Sequence, residues 1–376
     1  MKSQDYRDRS YLSAIEAAKI LGITVRSLHE MAKSGRLPCI RAASGQMRFD
    51  FRDLKKCAEG NDLCHESART TAEKEGIRKK SITVPVGKEH ARICRLQTVH
   101  INNTFQNIIT GDSGSMRELK DGSVHLMVTS PPYFDTKMYS RTPIRNDLGN
   151  VHDVDAWFRQ IEKVWKEVYR VLQPGRKAFI NIMNLPIRDS KGGFRTLNLA
   201  GRTIDLCEDI GFIFKRDIVW HKTNAVRAHF GTYPYPGGIL INNMHEFILE
   251  FDKPAPRGYG KYAHLSDIQK ELSRIDKEFW LSIKKSDVWV MKPQGSGDRR
   301  RHVAPFPLEL PVRLIKAFSY VSETVLDPFA GSGTTLLAAA GLGRNGVGYE
   351  INPEIACESY RTLAEMGEAG ESRQGI

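Results

Sequence analysis

Hydrophobic and polar positions follow two different rhythms from about residue 106 towards the end of the chain. Short apolar runs predict strands, whereas longer stretches with an apolar residue at every third or fourth position predict helices. The predicted strands span 107–110, 124–129, 178–183, 213–220, 246–251, 324–326 and 346–350. The predicted helices span 154–172, 197–210, 308–320 and 334–342. Strands separated by helices of this length indicate an α/β fold with a mainly parallel sheet.

Residues 10–56 follow another pattern, with two short helical stretches and a tight turn between them. Apolar positions predict a first helix that ends at Gly22, because glycine is a good helix stop. Thr24 can cap a second helix, which Gly35 closes. Two short helices joined in this way are typical of a helix-turn-helix. Alternating residues around 43–45 add a predicted hairpin, so the unit is interpreted as a small winged helix-turn-helix.

Composition adds a class of partner to this picture only through charge. The chain has 376 residues and a formal net charge of +12. The first 100 residues hold 20 Lys+Arg against 12 Asp+Glu, so they carry two thirds of the excess. Such a balance favours a polyanionic partner, with nucleic acid first and an acidic membrane surface second. The sequence has no apolar run of about 18 residues, which argues against a membrane span. The six scattered cysteines predict reduced thiols in the cytoplasm.

The first cluster of candidate chemistry directly follows the strand predicted over 124–129. It consists of Ser130, Pro131, Pro132 and Tyr133. The two prolines fix the backbone and donate no hydrogen bonds, so the loop is stiff and its carbonyl oxygens point in set directions. A hydroxyl, carbonyls and an aromatic ring together suit a planar group that carries an NH2. Taken alone, the loop is equally consistent with an ordinary turn and a packing tyrosine.

The second cluster lies about two hundred residues later, at the end of the strand predicted over 324–326. Asp327 ends this strand, Gly331 and Gly333 form a turn, and a helix begins near Thr334. Glycines let the backbone approach a ligand closely, and a helix N-terminus favours an anionic group. Glu350 closes the next strand, where an acidic residue can accept hydrogen bonds from ribose hydroxyls. A tight turn of an unrelated Rossmann-like fold is the alternative.

Together the two clusters are more specific than either alone. The segments TSPPY and DPFAGSGTT, with GYE after the latter, resemble the amino-methyltransferases that act on DNA bases with S-adenosylmethionine (AdoMet). The SPPY loop precedes the glycine loop, an order that resembles the circularly permuted β class. The resemblance covers about residues 106–365. It implies a Rossmann-like α/β fold with a mainly parallel, seven-stranded sheet, AdoMet as cofactor and double-stranded DNA as partner.

The resemblance also implies roles for individual residues. The catalytic residues are Ser130, Pro131, Pro132 and Tyr133, with Ser130 Oγ and nearby carbonyls accepting from the target amine and Tyr133 stacking on a flipped base. The expected cofactor-binding residues are Asp112, Pro305, Phe306, Asp327, Phe329, Gly331, Gly333, Thr334 and Glu350. The expected DNA-binding residues are Arg26, Ser27, Lys222, Arg299, Arg300 and Arg301. A basic target-recognition segment is expected over 253–301, where the charges favour phosphate contacts.

The N-terminal unit resembles the winged helix-turn-helix of MerR and excisionase proteins. The matching residues are AAKILGI, the GRLP turn, and Arg48, Phe49, Asp53 and Leu54. The predicted domains are therefore a helix-turn-helix DNA-binding domain over 1–60, a polar linker over 61–105 and a methyltransferase domain over 106–376. The cysteines near the linker lack the spacing of a zinc finger, so no metal site is predicted.

The choice of target stays open between several alternatives. Serine in the first position of the SPPY loop favours cytosine N4 over adenine N6. A transcription regulator with an inactive methyltransferase body is a candidate of another class, and methylation of RNA or of a protein glutamine is a third. The helix-turn-helix has two candidate roles, DNA recognition and regulation of the protein's own gene. A cognate restriction endonuclease is a candidate partner, and both a monomer and a homodimer fit the sequence.

Overall fold

The computed structural model divides the chain into two compact units, Met1–Glu89 with Glu371–Ile376, and His90–Gly370. It describes residues 95–134, 144–188, 194–223, 241–293 and 306–372 of the larger part of the chain, and 11–14, 17–18, 21, 25–34, 37–41, 47–50 and 54 near the N-terminus. Among these described residues, no helix is long and apolar enough to cross a membrane.

The described part of the N-terminal unit has a three-stranded antiparallel sheet and a helix. The elements are β1 (Tyr11–Ser13), α1 (Val25–Lys33), β2 (Ile40–Arg41) and β3 (Met47–Asp50), with strand order β1-β3-β2. Leu28 of α1 and Phe49 of β3 are fully buried and belong to one small apolar cluster. The helix predicted after Gly22 and the hairpin predicted around 43–45 are thus both present, although the turn itself lies outside the described residues.

The larger unit is built on a nine-stranded sheet. Its strands are β4 (Leu96–Ile101), β5 (Thr104–Thr110), β6 (Val124–Thr129), β7 (Leu172–Ile182), β10 (Ile213–Lys222), β11 (His245–Asp252), β12 (Val288–Met291), β13 (Thr324–Asp327) and β14 (Asn345–Glu350). Their order is β12-β10-β11-β7-β6-β13-β14-β5-β4. The strands β7, β6, β13, β14 and β5 run parallel, while β11 and β4 are antiparallel to their neighbours. A small hairpin, β8 (Leu185–Arg188) and β9 (Phe194–Leu197), follows β7.

Helices cover both faces of this sheet, as expected when parallel strands need burial on both sides. The helices of the larger unit are α2 (Val154–Val171), α3 (Leu199–Ile210), α4 (Asp267–Leu272), α5 (Lys277–Lys284), α6 (Glu309–Phe318), α7 (Thr334–Gly341) and α8 (Pro353–Ser372). One face packs mainly against α2, through fully buried residues such as Trp157 and Trp165. The other packs against α6, through Leu310 and Leu314. The mainly parallel α/β prediction is therefore confirmed.

Two of the nine strands lie at the sheet edges and were not predicted. The edge strand β4 lies within residues 61–105, which the sequence pattern predicts to be a linker. The ordered sheet therefore begins before residue 106. Val99 and Ile101 of β4 turn towards the core while their neighbours are exposed, which fits a short edge strand. At the opposite edge, β12 buries Trp289 and Met291 in the same alternating way. Seven strands were predicted, and the sheet has nine among the described residues.

The predicted target-recognition segment over 253–301 begins at the amino ends of the parallel strands. Lys253 Nζ donates to the carbonyl of Leu172, at the start of β7, over 2.7 Å. His264 Nε2 lies 3.0 Å from Glu323 Oε1, immediately before β13. Residues up to about 285 therefore lie at the edge of the sheet opposite the SPPY and glycine loops. The role of this segment in DNA recognition stays a prediction.

The same amino edge holds a buried cluster of charged side chains. Arg176 and Glu323 form an ion pair in which both side chains are almost completely buried. Burial lowers the pKa of His125 to about 4, so its ring is neutral and its Nδ1 accepts from Thr324 N over 3.1 Å. His125, His264 and Glu323 bring three possible metal-ligating atoms within 4.8 Å of one another. Because Arg176 already balances Glu323, ion pairing accounts for this cluster without a metal.

Candidate active site

The carboxyl ends of four neighbouring parallel strands meet around one cavity of about 340 Å³. Residues just beyond β5, β6, β13 and β14 line its wall, as expected for ligand sites in open α/β sheets. The lining includes the expected residues Asp112, Ser130, Pro131, Pro132, Tyr133, Lys222, Phe306, Asp327, Phe329, Gly331, Thr334 and Glu350. Both clusters predicted from the sequence therefore belong to a single site, although about two hundred residues separate them along the chain.

A chain of polar contacts leads away from the SPPY loop. Ser130 Oγ donates to Tyr133 Oη over 3.3 Å, and Tyr133 Oη donates to Glu246 Oε2 over 2.6 Å. The amide Nδ2 of Asn181 donates to the same Glu246 oxygen over 2.6 Å and lies 3.4 Å from Ser130 Oγ. Lys222 Nζ donates to the other Glu246 oxygen over 2.7 Å. The hydroxyl of Ser130 is thus connected to a paired, buried carboxylate.

Sequence reasoning missed Asn181 and Glu246 and assigned Lys222 another role. Glu246 lies on β11 and Asn181 on β7, so neither is adjacent to the SPPY loop along the chain. A usable signal was present, because a charged residue in a buried apolar strand is rare unless it is paired. Lys222 was expected to contact DNA, but its side chain is only 15% exposed and pairs with Glu246. The structure places Lys222 in the cavity wall.

Asp327 holds together three elements that meet at the cavity. Its Oδ1 accepts from Thr129 Oγ1 over 2.6 Å and from Phe329 N over 3.0 Å. Its Oδ2 accepts from Thr335 Oγ1 over 2.6 Å. Burial raises the pKa of Asp327 to about 6, although these three hydrogen bonds act in the opposite direction. Both oxygens are engaged inside the protein, so Asp327 shapes the site by joining β6, the glycine loop and α7.

Glu350 links the end of β14 to the glycine loop. One of its oxygens accepts from Gly331 N over 3.1 Å, and the other accepts from Asn352 N over 2.8 Å. Burial raises the pKa of Glu350 to about 7, with repulsion from Asp147 and Asp327 acting in the same direction. Gly331 has φ +50, a left-handed conformation that suits glycine. The loop geometry therefore depends on this glycine and on the carboxylate that accepts from it.

Two further carboxylates, those of Asp112 and Asp147, line the cavity wall beyond the end of β5. Asp112 accepts from Gly114 N and from Asn146 Nδ2, both over 2.8 Å. Asp147 accepts from Gly149 N over 2.9 Å and caps a short 3-10 turn. Burial raises the pKa of Asp147. The predicted residue Asp112 thus lies in the cavity with its side chain fixed by two donors, and Asp147 is a neighbour that the sequence did not indicate.

One predicted cofactor residue, Gly333, is not among the residues that line the cavity. Its φ is +82, and its N–H donates to Ala330 O over 2.8 Å. A Cβ at this position would collide with Ser359 Oγ of α8. The glycine is therefore needed for the close approach of α8 to the loop. Its expected contact with the cofactor stays a prediction, since the sequence pattern does not distinguish ligand contact from helix packing.

Other predicted residues lie outside what the structure describes. Pro305 and the basic residues Arg299, Arg300 and Arg301 belong to this group. Arg26 and Ser27 lie on α1, but their side chains are outside the described part. Their expected roles in cofactor or DNA binding stay predictions.

The charges of the cavity fit the cofactor that the sequence pattern implies. The described lining contains five carboxylates, from Asp112, Asp147, Glu246, Asp327 and Glu350, and two amines, from Lys163 and Lys222. AdoMet carries a sulfonium and an ammonium group against one carboxylate, so it brings net positive charge. Such a ligand relieves the repulsion among these carboxylates. The roles of Glu350 and Asp112 in binding the cofactor stay predictions.

Comparison with known proteins agrees with this geometry. The family described as DNA methylase matches residues 124–361, which is more than half of the chain. A helix-turn-helix domain matches residues 11–62. The chain belongs to the N6/N4 family of DNA methylases, which transfer a methyl group from AdoMet to amino groups of bases in DNA. The family prediction, the cofactor and the N-terminal helix-turn-helix are thereby confirmed.

Individual relatives support the same assignment. The type II methyltransferase M.MjaI of Methanocaldococcus jannaschii is 35% identical over 275 residues, which cover 67% of this chain and 89% of that protein. The type II methyltransferase M.MthZI of Methanothermobacter thermautotrophicus is 33% identical over 267 residues, which cover 66% of this chain and 74% of that protein. The structure of a DNA modification methylase from Thermus thermophilus, complexed with AdoMet, superimposes with a TM-score of 0.55 at 32% identity. The superposition covers 69% of this chain and 93% of that structure.

Proposed function

We propose that the protein methylates the N4 amino group of cytosine in double-stranded DNA. The observation that carries this proposal is Ser130, the first residue of the SPPY loop, whose hydroxyl lies in the wall of the same cavity as Glu350 and the glycine loop. Serine in this position is typical of cytosine N4 enzymes in the family that the sequence resembles. The type II relatives make a restriction endonuclease of the same specificity a candidate partner, and an enzyme that acts on DNA in the cytoplasm fits this reading.

The protein's contribution to the reaction is mainly orientation. AdoMet supplies a methyl group that its sulfonium charge already activates. An exocyclic amine of a base is a weak nucleophile because its lone pair is delocalised into the ring. Ser130 Oγ and the nearby backbone carbonyls accept hydrogen bonds from the amine protons, which favours a more tetrahedral nitrogen. The rigid Ser130–Pro131–Pro132 backbone keeps these acceptors in place without further ordering.

The target base has to leave the duplex to reach this loop. Base flipping costs a few kcal/mol of unstacking and pairing energy. The ring of Tyr133 lines the cavity, and its hydroxyl is held by Glu246. In this proposal the fixed ring stacks on the flipped base and offsets part of that cost. Tyr133 thereby orients the base with its amine towards Ser130.

The product of the reaction tests this proposal directly. Purified protein is incubated with methyl-labelled AdoMet and DNA from a strain without methyltransferases, and the digested nucleosides are separated and identified by mass. We expect N4-methylcytosine, at one recognition sequence that sequencing of modified bases then identifies. N6-methyladenine as the product would overturn the choice of cytosine. Label found only in RNA or protein would overturn DNA as the substrate. A lack of any incorporation would favour a methyltransferase body without activity.

Ser130→Ala provides the matched control for this assay. Removal of the hydroxyl deletes one acceptor for the amine and leaves the glycine loop and Glu350 unchanged. We expect methyl transfer to fall by at least about a hundredfold while the calorimetric Kd for AdoMet stays within about twofold. Loss of cofactor binding in this variant would contradict the role given to Ser130.

A further inference from the structure

We propose that Glu246 is a positioning residue that directs the Ser130 hydroxyl towards the target amine and finally receives the proton that the amine loses. This inference rests on amino-group methylation at the SPPY loop and holds for either cytosine or adenine as the target. The observation behind it is the continuous set of contacts from Ser130 Oγ through Tyr133 Oη to Glu246 Oε2, at 3.3 and 2.6 Å.

The buried carboxylate fixes the direction of this chain. A carboxylate only accepts hydrogen bonds, so Tyr133 must use its single proton to donate to Glu246. The Tyr133 oxygen then has lone pairs left for the proton of Ser130. One lone pair of Ser130 accepts from Asn181 Nδ2 over 3.4 Å, and the other can accept from the target amine. If Glu246 were replaced by a donor, every hydroxyl in the chain could reverse, and Ser130 would then present a proton to the amine.

Two neighbours balance and orient the carboxylate. Lys222 Nζ binds the oxygen that Tyr133 does not use, and Asn181 Nδ2 binds the oxygen that it does. Glu246 is 7% exposed and Asn181 is 2% exposed, so water has little access to these hydrogen bonds. Both partners donate, and Asn181 Nδ2 also donates to Tyr133 Oη over 3.3 Å, so the Tyr133 hydroxyl keeps its own proton for Glu246. The geometry is therefore preorganised around one acceptor.

The same contacts give the departing proton a route. Once the new N–C bond has formed, the base nitrogen carries a positive charge and one proton too many. That proton passes to Ser130 Oγ, the Ser130 proton passes to Tyr133 Oη, and the Tyr133 proton passes to Glu246. The base ends neutral, both hydroxyls are restored, and the carboxylate becomes a carboxylic acid. No further reactant is needed for this balance.

The same strand offers a matched control for Glu246. Glu250 lies four residues further along β11, on the same face, and is 5% exposed. It pairs with Lys177 over 2.6 Å, as Glu246 pairs with Lys222 over 2.7 Å. Glu250 lies towards the amino edge and does not line the cavity. Lys177 also pairs with Asp252 and Glu250 also pairs with Arg216, so Glu250→Gln measures the effect of losing a buried carboxylate on β11 away from the cavity.

The test compares single-turnover methyl transfer by Glu246→Gln, Glu250→Gln and the unaltered protein, on the DNA site identified as above. We expect Glu246→Gln to slow transfer by about 10²- to 10⁴-fold, the usual range for a lost proton acceptor, and Glu250→Gln to slow it by less than about threefold. Calorimetric Kd values for AdoMet and for the DNA site should stay within about threefold in both. Equal rates for the two variants, with the unaltered protein active, would overturn the proposal and leave the methyltransferase function intact.

Tyr133→Phe is the second variant, because it removes only the hydroxyl that connects Ser130 to Glu246 and retains the ring. We expect the double variant Tyr133→Phe/Glu246→Gln to be no slower than the more impaired single variant, since both changes interrupt one chain. Losses that multiply would assign the two residues independent roles and overturn the proposal. Infrared difference spectra after mixing should show a protonated carboxyl band in the unaltered protein that Glu246→Gln lacks.

Discussion

At the scale of single residues, Asp327 illustrates how a side chain beside a ligand site can act through the fold. All three of its hydrogen bonds go to the protein, to Thr129, Phe329 and Thr335. Its rigid placement fixes both the residue that precedes Ser130 and the start of α7. Because it is buried and fully bonded, its main contribution is expected to be to stability and to the shape of the cavity.

Asp327→Ala therefore tests whether this residue shapes the site. The change leaves two hydroxyls and one backbone N–H without their acceptor inside the protein. We expect the free energy of unfolding, measured with urea, to fall by about 2–4 kcal/mol, since each unmet buried donor costs about 1 kcal/mol or more. AdoMet affinity should fall together with stability. Lost affinity at unchanged stability would instead identify Asp327 as a direct ligand of the cofactor.

Glu350 predicts a pH dependence whose sign differs between stability and binding. Its pKa is raised from 4.5 to about 7, so the folded free protein holds this proton more tightly than the unfolded chain. The resulting stabilisation is present below about pH 4.5 and is lost as the pH rises through about 7. Binding to hydroxyl donors needs the ionised carboxylate, so cofactor affinity should change in the opposite direction and increase with pH.

Calorimetry with AdoMet at pH 6 and pH 8 measures this effect. Because a carboxyl of pKa near 7 is about ten times less ionised at pH 6 than at pH 8, we expect Kd to be about tenfold higher at pH 6. Glu350→Gln should bind more weakly at pH 8 and show almost no change between the two values. A pH dependence that persists in this variant would assign the titration to another group, such as Asp327.

The residues found from the sequence differ in kind from those that were missed. Ser130 and Glu350 were recognisable because each belongs to a contiguous motif that follows a predicted strand. Glu246 acts on Ser130 across 116 residues of chain, through register in the sheet, and a single sequence does not specify register between distant strands. The chemistry of the loops was therefore predictable, whereas the polar support behind them required the structure.

At the scale of elements, the apolar pattern predicted the central strands and helices well because burial on both faces makes them strongly apolar. The edge strands β4 and β12 were not predicted, because only alternate residues are buried there and short alternating runs resemble polar loops. The segment after β11 was assigned to DNA recognition from its position in the family pattern and from its basic charge. Contacts with the starts of β7 and β13 place its first thirty or so residues at the amino ends of the parallel strands.

This placement predicts that basic side chains on α4 and beside it take no part in binding the target DNA. Lys270 and Arg274 pair with Asp267 and Glu271, and a six-residue strand of about 20 Å separates their edge from the cavity. Lys270→Gln/Arg274→Gln should leave the DNA Kd within about twofold and the salt dependence of log K unchanged. Arg26→Gln on α1 removes only one positive charge and should nevertheless weaken binding. If the slope of log K against log salt fell by about two in the double variant, Lys270 and Arg274 would contact the DNA phosphates after all.

At the scale of the whole molecule, charge and chemistry are divided between the parts of the chain. The first 100 residues hold eight of the twelve excess positive charges, while the described cavity in the larger unit is rich in carboxylates. A cavity of that kind suits a cationic cofactor, and a basic helix-turn-helix suits the phosphate backbone. We therefore expect the N-terminal unit to contribute DNA affinity and the larger unit to contribute the chemistry.

Removal of residues 1–60 tests this division. Since His90–Gly370 is a compact unit by itself, the truncated protein should retain AdoMet affinity and the single-turnover rate at saturating DNA. Its DNA affinity should fall, and log K should depend less steeply on log salt, because each lost phosphate contact reduces the slope by about 0.9. If affinity, slope and recognition site were all unchanged, the helix-turn-helix would not assist target binding. Binding of the isolated N-terminal unit to the promoter of its own gene would then be the outcome that assigns it a regulatory role.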